Sequence, residues 1–455
     1  MEKKPAKIKA ENEREIALDI LIEVLEKGSF SHVVLNQALS KYQYLSKQER
    51  SFITRAVDGT LENLIQIDYV LDSCSSTKVK KMKPFIRTLL RVSVYQILYM
   101  DRVPDSAVCN EAVKLAAKRR FVGLKGFVNG VLRKVSREKE NFSWPDMSVR
   151  YSMPQWLLDM WQEQYGPERT EEIVKSFFQE KPTTVRCNLN KASREEILAS
   201  LESQGAEAEC PAEAPHLIYL KKYDYLESLT AFNQGFIQVQ DMSSSLVGLA
   251  ASPKKGSYII DVCGAPGGKS LHLADMMDGT GMVDVRDISF QKVSMIEENI
   301  ERSGFSNIGA KVWDALETDE DAVEKADIVI ADLPCSGLGI MGRKPEIKYH
   351  ASREGIRELA KLQKNMLSVV QEYVKPGGLL VYSTCTISRE ENEENAAWFK
   401  GNYPFEPVDL TGRLGKIADE GTLKDGYVQL LPDKYPCDGF FISLFRKNNK
   451  DTNRL

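Results

Sequence analysis

Two cysteines, Cys335 in ADLPCSG and Cys385 in VYSTCT, each follow an apolar run that reads as a β-strand. If those strands are neighbours in one sheet, both thiols reach one cleft. Taken singly, either cysteine is more simply a buried apolar filler; the matched positions favour chemistry. Carbon-5 of a pyrimidine is inert until something adds to carbon-6, and a thiolate can add there at neutral pH. Addition leaves an enamine whose carbon-5 can attack a methyl sulfonium, after which a second group must remove the carbon-5 proton and let the thiol leave. A free cysteine, with a pKa of about 8.5, is only a few per cent ionised near neutrality, so such a nucleophile needs activation.

Acids stand at similar positions. The runs SYIIDVC, GMVDVRD, IGAKVWD, ADIVIADLP and GGLLVYSTC alternate with helical or polar stretches from Ser257 onward, the pattern of parallel strands with crossover helices. The expected architecture is a doubly wound α/β sheet, which binds ligands outside the carboxyl ends of its strands near the reversal of strand order. After the first run, Asp261-Val-Cys-Gly-Ala-Pro-Gly-Gly-Lys269 is a glycine turn opening a helix, where backbone passes close to a ligand and free N–H groups face an anion. Asp287, 26 positions after Asp261, suits ribose hydroxyls, and Asp314 and Asp332 end the third and fourth runs. One such Asp is most simply a turn or helix cap; the series beside the glycine turn is harder to explain that way.

The rest of the 455-residue chain supplies the setting. Hydrophobic residues are 42% and charged residues 28%, which excludes a wholly disordered or low-complexity chain. No window approaches the roughly 18 apolar residues of a membrane span, and the first residues lack the apolar core of a secretory signal. A cytoplasmic protein without membrane contact is expected. The 8 cysteines include no C-x-x-C and the histidines number 4, so no metal site is expected. Residues 1–150 hold 27 basic against 18 acidic side chains and the remainder 34 against 47; within 78–140 the count is 16 against 5. That density suits phosphate neutralisation, although charge runs are commonly only solvated faces. Apolar residues at helical spacing (Ala17, Ile20, Leu21, Val24 and Leu25; Ile86, Leu89, Leu90, Val94 and Leu98; Ala112, Leu115 and Ala116) predict an all-α first third, with Pro104 and Asp105 at a helix entry and Gly123 and Gly126 between two later helices. In the middle, TTVRCNLN and HLIYL read as strands around the helix SREEILASLESQG, a small α+β segment. The expected domains are 1–145, helical; 146–235, small α+β; and 236–455, catalytic.

The run LLRVSVYQILYMDRVPDSAVCNEAVKLAAKRRFVGLKGFVNGVLRKV resembles the NusB-type RNA-binding helical domain over about Glu13 to Ser136. DVCGAPGGKS, VDVRDIS, DLPCSGLGIMGRKPEIKY and YSTCTISREENE resemble successive motifs of the RNA cytosine-5 methyltransferases that use S-adenosylmethionine. With the NusB-like domain in front, the chain from about Glu13 to Arg446 is similar to the small-subunit ribosomal RNA methyltransferase B family, also called Fmu or Sun. The resemblance implies a Rossmann-like methyltransferase domain, S-adenosylmethionine as cofactor and 16S ribosomal RNA as partner, modified at one cytosine. It makes Cys385 the nucleophile and gives Cys335 a part in proton elimination and release. It places the methionine portion of the cofactor on Cys263, Gly264, Ala265, Pro266, Gly267, Gly268 and Lys269, the ribose on Asp287, the adenine side on Asp314, and the cofactor or target base on Asp332. A protonated Asp332 carboxyl bonded to ring nitrogen-3 would stabilise the charge of addition. Two positions depart from the family pattern: Gly264, where Ala is common, is expected to loosen the loop slightly, and Arg343-Lys-Pro lacks a His often found before Pro. Gln240-Asp241-Met-Ser-Ser matches a family element expected to be structural.

RNA contact in the acidic catalytic domain is expected from the basic run 341–365, chiefly Arg343, Lys344 and Lys348, with Arg353, Arg357, Lys361 and Lys364 behind them. A target in a loop or single strand suits a reaction that needs an unstacked base. Competing readings are a non-catalytic RNA-binding assembly factor, a transfer-RNA methyltransferase, and a nicotinamide dehydrogenase, the last disfavoured because G-A-P-G-G lacks the G-x-G-x-x-G spacing. Nothing in the sequence demands more than a monomer.

Overall fold

The computed structural model describes residues 12–42, 44–418 and 421–449, and the chain forms two compact units. The first comprises residues up to Phe178 together with Arg343–His350. Its helices begin and end where local chemistry dictates. Helix α1 (Glu13–Lys27) starts at Asn12, whose side chain accepts from Arg14 N at 2.8 Å, and stops at Gly28 in the left-handed region. Helices α2 (Ser31–Lys41), α3 (Lys47–Glu62), α4 (Leu64–Cys74), α5 (Pro84–Tyr99), α6 (Asp105–Lys118) and α7 (Lys125–Glu138) follow. Ser46 and Glu49 cap α3 reciprocally, and Pro84 occupies the first turn of α5, where a missing N–H costs nothing. The apolar stripes read from the sequence meet in one core: Ala17, Ile20, Leu21 and Val24 of α1, Ile86, Leu89, Leu90 and Val94 of α5, and Ala112, Leu115 and Ala116 of α6 are all buried there. Gly126, expected between helices, lies in the first turn of α7.

Residues 343–350 are an integral part of this unit. Glu346 accepts from Ser31 N at 3.0 Å and Ser31 Oγ at 2.8 Å, capping α2 from a distant part of the chain. Lys348 Nζ donates to the Glu62 carbonyl at 2.7 Å and the Tyr349 hydroxyl to the Leu61 carbonyl at 2.7 Å, satisfying carbonyls at the end of α3.

The second unit, 179–342 and 351–455, contains two sheets. The smaller is antiparallel, with strands β1 (Thr183–Cys187), β2 (Glu207–Glu209), β3 (Leu217–Lys222) and β4 (Ile237–Val239) in the order β2-β3-β1-β4. Helix Arg194–Ser203 packs on it through Ile197 and Leu201, entered by a Ser193–Glu196 capping box. The Gln240-Asp241 element is structural: Gln240 Oε1 accepts from buried Arg186 at 2.8 Å, and Asp241 caps helix Met242–Ala251.

The larger sheet has β5 (Tyr258–Asp261), β6 (Met282–Asp287), β7 (Ile308–Val312), β8 (Ala326–Asp332), β9 (Val374–Thr384), β10 (Phe405–Pro407), β11 (Tyr427–Leu430) and β12 (Phe440–Lys447). The order is β10-β12-β9-β8-β5-β6-β7, with β11 paired to β12. The five runs read from the sequence form the parallel part, β5 to β9. The structure adds antiparallel β10, β11 and β12, so the sheet is mixed. Along β8, Ile328 and Ile330 join one core layer and Val329 and Ala331 the other, which is why a strand covered on both faces reads as a continuous apolar run. Strand order reverses at β5, whose neighbours are β6 and β8. Among the described residues, no helix is long and apolar enough to cross a membrane.

Candidate active site

The chain leaves β5 at Asp261, which is fully buried, accepts from Ser270 Oγ at 2.5 Å, and is pushed up to about 6 by burial against the opposing help of that hydroxyl. The other oxygen of Asp261 is buried without a hydrogen-bond partner. The glycine turn is tied back to the sheet: Gly264 N donates to the Arg286 carbonyl at 2.9 Å, and Gly267 N to the Gly264 carbonyl at 2.7 Å. Gly267, at φ +105°, takes a backbone conformation that side chains disfavour and begins helix Gly268–Met276. A Cβ on Gly264 would stand 2.3 Å from Val285 Cγ1. Gly264 is therefore the residue that lets this turn close on β6, and the expected loosening gives way to a tight fit. The Ala265–Pro266 peptide within the turn is cis.

Asp287, at the end of β6 and 3% exposed, receives Ala265 N at 3.2 Å and Ile288 N at 2.8 Å and pairs with Lys292 at 3.0 Å. Asp314 lies two residues beyond the end of β7, where one oxygen accepts Leu316 N at 2.9 Å, an Asx turn that fixes the chain leaving that strand. Asp332, ending β8, pairs with Lys269 at 2.6 Å and accepts from Ser383 at 2.7 Å. The resemblance assigns Lys269 to the cofactor and Asp332 to the cofactor or the target base. In the structure the Lys269 ammonium turns to Asp332, and Asp332 accepts on both oxygens. Burial pulls the Lys269 pKa down, but the charges of Asp332 and Asp261 outweigh it and hold the ammonium above its ordinary value.

In the β8–β9 register Asp332 lies opposite Ser383, so the chains leave the two strands side by side. Cys335 Sγ and Cys385 Sγ stand 3.3 Å apart, within hydrogen-bond reach. Its hydrogen bond with Cys385, with burial added, pushes the Cys335 thiol well up. Gly339 N donates to the Cys385 carbonyl at 3.0 Å and fixes the second loop.

The basic run divides. Lys348 is 4% exposed, its ammonium is spent on the Glu62 carbonyl, and burial lowers its pKa to about 7. It is a packing residue of the first unit, and the expectation that it contacts RNA fails on burial. Arg343 is exposed and Lys344 half-buried; Arg357 and Lys361 are exposed on helix Arg353–Val370. Sequence reasoning also passed over polar residues packed around the cysteine loops: Ser336, Gln363, Thr386, Glu391 and Asn392. Of these, Glu391 and Asn392 lie in the acid and amide run REENEEN, whose composition is that of a solvated face.

The comparisons with known proteins agree with this geometry. The family model described as 16S rRNA methyltransferase RsmB/F matches residues 249–446, the NusB family model matches 11–137, and a ferredoxin-like domain model of RsmF/B-like methyltransferases matches 153–225. A Bacillus subtilis protein named probable ribosomal RNA small subunit methyltransferase B is 38% identical over 443 residues, covering 95% of this chain and 98% of that protein. The ribosomal RNA small subunit methyltransferase B of Proteus mirabilis is 32% identical over 440 residues, covering 96% and 99%. The solved structure of PH0851 superposes with a TM-score of 0.82 at 26% identity, covering 97% of this chain and 100% of that one.

Proposed function

The chain belongs to the ribosomal RNA small subunit methyltransferase B family, and from that membership we propose that it methylates carbon-5 of one cytosine in 16S ribosomal RNA, with S-adenosylmethionine as methyl donor. The observation that carries the reaction is the pair of thiols 3.3 Å apart beyond adjacent parallel strands. The Cys385 thiolate, its proton having passed to solvent, adds to carbon-6, forming the Sγ–carbon-6 bond and moving the ring π pair to carbon-5, where that pair forms the bond to the methyl group as the sulfonium–methyl bond pair leaves with S-adenosylhomocysteine. Loss of the carbon-5 proton to water then returns the C–H pair to the ring double bond and breaks the Sγ–carbon-6 bond, whose pair leaves on Cys385; the Cys335 thiol beside that sulfur assists the release by hydrogen bonding to the departing thiolate.

The residues around the glycine turn fit S-adenosylmethionine, which when bound supplies an electrophilic methyl group. The orphaned buried oxygen of Asp261 suits a cationic amine, and the first-turn N–H groups of helix Gly268–Met276 suit a carboxylate. Asp287 suits ribose hydroxyls, and Asp314 faces the adenine side. The Lys269–Asp332 ion pair sets a fixed dipole beside the cysteines, where charge develops on the ring during addition. Arg343 and Lys344 contact RNA phosphates. The test is transfer of labelled methyl from S-adenosylmethionine to unmodified 16S ribosomal RNA, followed by nucleoside analysis. The expected product is 5-methylcytidine; intact cofactor binding without it would move the reading to another RNA or to a binding factor.

A further inference from the structure

The two cysteines come from different loops, yet two adjacent residues, Glu391 and Asn392, hold the flanks of both. Glu391 accepts Ser336 N at 2.8 Å on one oxygen and Ser336 Oγ at 2.5 Å on the other, fixing the residue after Cys335. Gln363 donates to Glu391 at 3.1 Å and to the Pro334 carbonyl at 2.9 Å, fixing the residue before it. Asn392 accepts from Thr384 Oγ1 at 2.5 Å and donates to the Thr386 carbonyl at 3.1 Å, bracketing Cys385 in the same manner. The Ser336 and Thr386 hydroxyls, 2.7 Å apart, join the loops directly. Glu391 and Asn392 are fully buried, and these bonds go to the residues flanking the cysteines rather than to the sulfurs. A buried carboxylate and amide are costly unless hydrogen-bonded, and here the bonds to the cysteine loops are completed by one from Gln363 to Glu391 and one from Asn392 to Gln429 at 2.7 Å.

We propose that Glu391 and Asn392 are positioning residues that set the separation of the two reacting sulfurs, Glu391 governing Cys335 and Asn392 governing Cys385. One thiol must add to the ring and the other must then assist its release, and a misplacement of about 1 Å can cost on the order of 100-fold in rate. The division of labour follows from these hydrogen bonds: loosening the Cys335 loop slows release, and loosening the Cys385 loop slows addition. This rests on the cytosine carbon-5 reading.

The experiment uses the full chain with unmodified 16S ribosomal RNA and S-adenosylmethionine, reading 5-methylcytidine formation, the KM for RNA, and covalent protein–RNA adduct on denaturing gels. Glu391→Gln is expected to lower kcat at least 10-fold with KM within two-fold, and to accumulate adduct. Asn392→Ala is expected to lower the rate similarly without accumulating adduct. Ser336→Ala, which removes only the hydroxyl shared by Glu391 and Thr386, is expected to behave as Glu391→Gln and stands in for it if that variant does not fold; Thr384→Ala, which removes the hydroxyl that donates to Asn392, stands in likewise for Asn392→Ala. Binding of S-adenosylhomocysteine should be unchanged throughout. If wild-type protein makes 5-methylcytidine while the folded variants match its kcat, or if both variants slow without any difference in adduct, the positioning role is overturned. Absence of 5-methylcytidine with the wild-type protein would instead overturn the underlying reading.

Discussion

The two sulfurs, 3.3 Å apart, differ in the strands that carry them: Cys335 follows β8 and Cys385 follows β9, and the hydrogen bond between them, with burial, pushes the Cys335 thiol up. The acids at the strand ends differ as well. Asp287 is nearly buried and held by two backbone N–H groups and Lys292, so its carboxylate is pre-aimed. Asp287→Ala is expected to weaken S-adenosylhomocysteine binding by about 10- to 100-fold, the worth of hydrogen bonds to a charged group, as read by titration calorimetry; unchanged affinity would remove Asp287 from the cofactor site. The turn opposite it has no spare room. Gly264→Ala would press a methyl against buried Val285 and should cost about 1–3 kcal/mol in denaturant unfolding. Combined with Val285→Ala, the total loss should fall short of the sum of the single losses, because one substitution vacates what the other fills.

At the scale of elements, the parallel strands were the most legible part of the chain. β5 to β9 are covered on both faces and so appear as apolar runs, and their ends carry the acids and cysteines that mark the site. That the two cysteines meet depends on the β8–β9 register, which sequence spacing alone does not specify. β12 is not legible in the same way although FFISLF is as apolar as the others, because an antiparallel strand inserted beside β9 does not repeat the strand–helix alternation. Charge runs are poor guides to exposure here: KPEIK contributes a buried lysine to the helical unit, and REENEEN holds the fully buried Glu391, Asn392 and Asn395. The buried lysine has a measurable consequence. Lys348 in the folded protein titrates near pH 7, below its value in the unfolded chain of about 10.4, so the folded state binds fewer protons between these limits. Its burial penalty is present in full below pH 7 and is relieved as pH rises toward 10. Thermal melting should therefore show a stability increment between pH 7 and 9.5 that Lys348→Met lacks; identical pH profiles would show that Lys348 does not titrate on folding.

Over the whole molecule, charge divides the chain into a basic first third and an acidic remainder. On the helical unit, Lys125 and Arg133 line a surface depression with Asn110 and Asn129 and suit phosphate binding. The affinity for ribosomal RNA should fall linearly in log–log form with salt, and Lys125→Gln with Arg133→Gln should shallow that slope by about 0.7–0.9 for each phosphate no longer neutralised; an unchanged slope would place the RNA elsewhere. Everything nonetheless converges on the two thiols beyond β8 and β9. The most direct test is to incubate Cys335→Ser protein with unmodified 16S ribosomal RNA and S-adenosylmethionine and resolve the mixture on a denaturing gel. A shifted protein–RNA band that disappears when Cys385→Ser is added to the same chain is the predicted result. No band from Cys335→Ser, or 5-methylcytidine made at the normal rate by Cys385→Ser alone, would contradict the account.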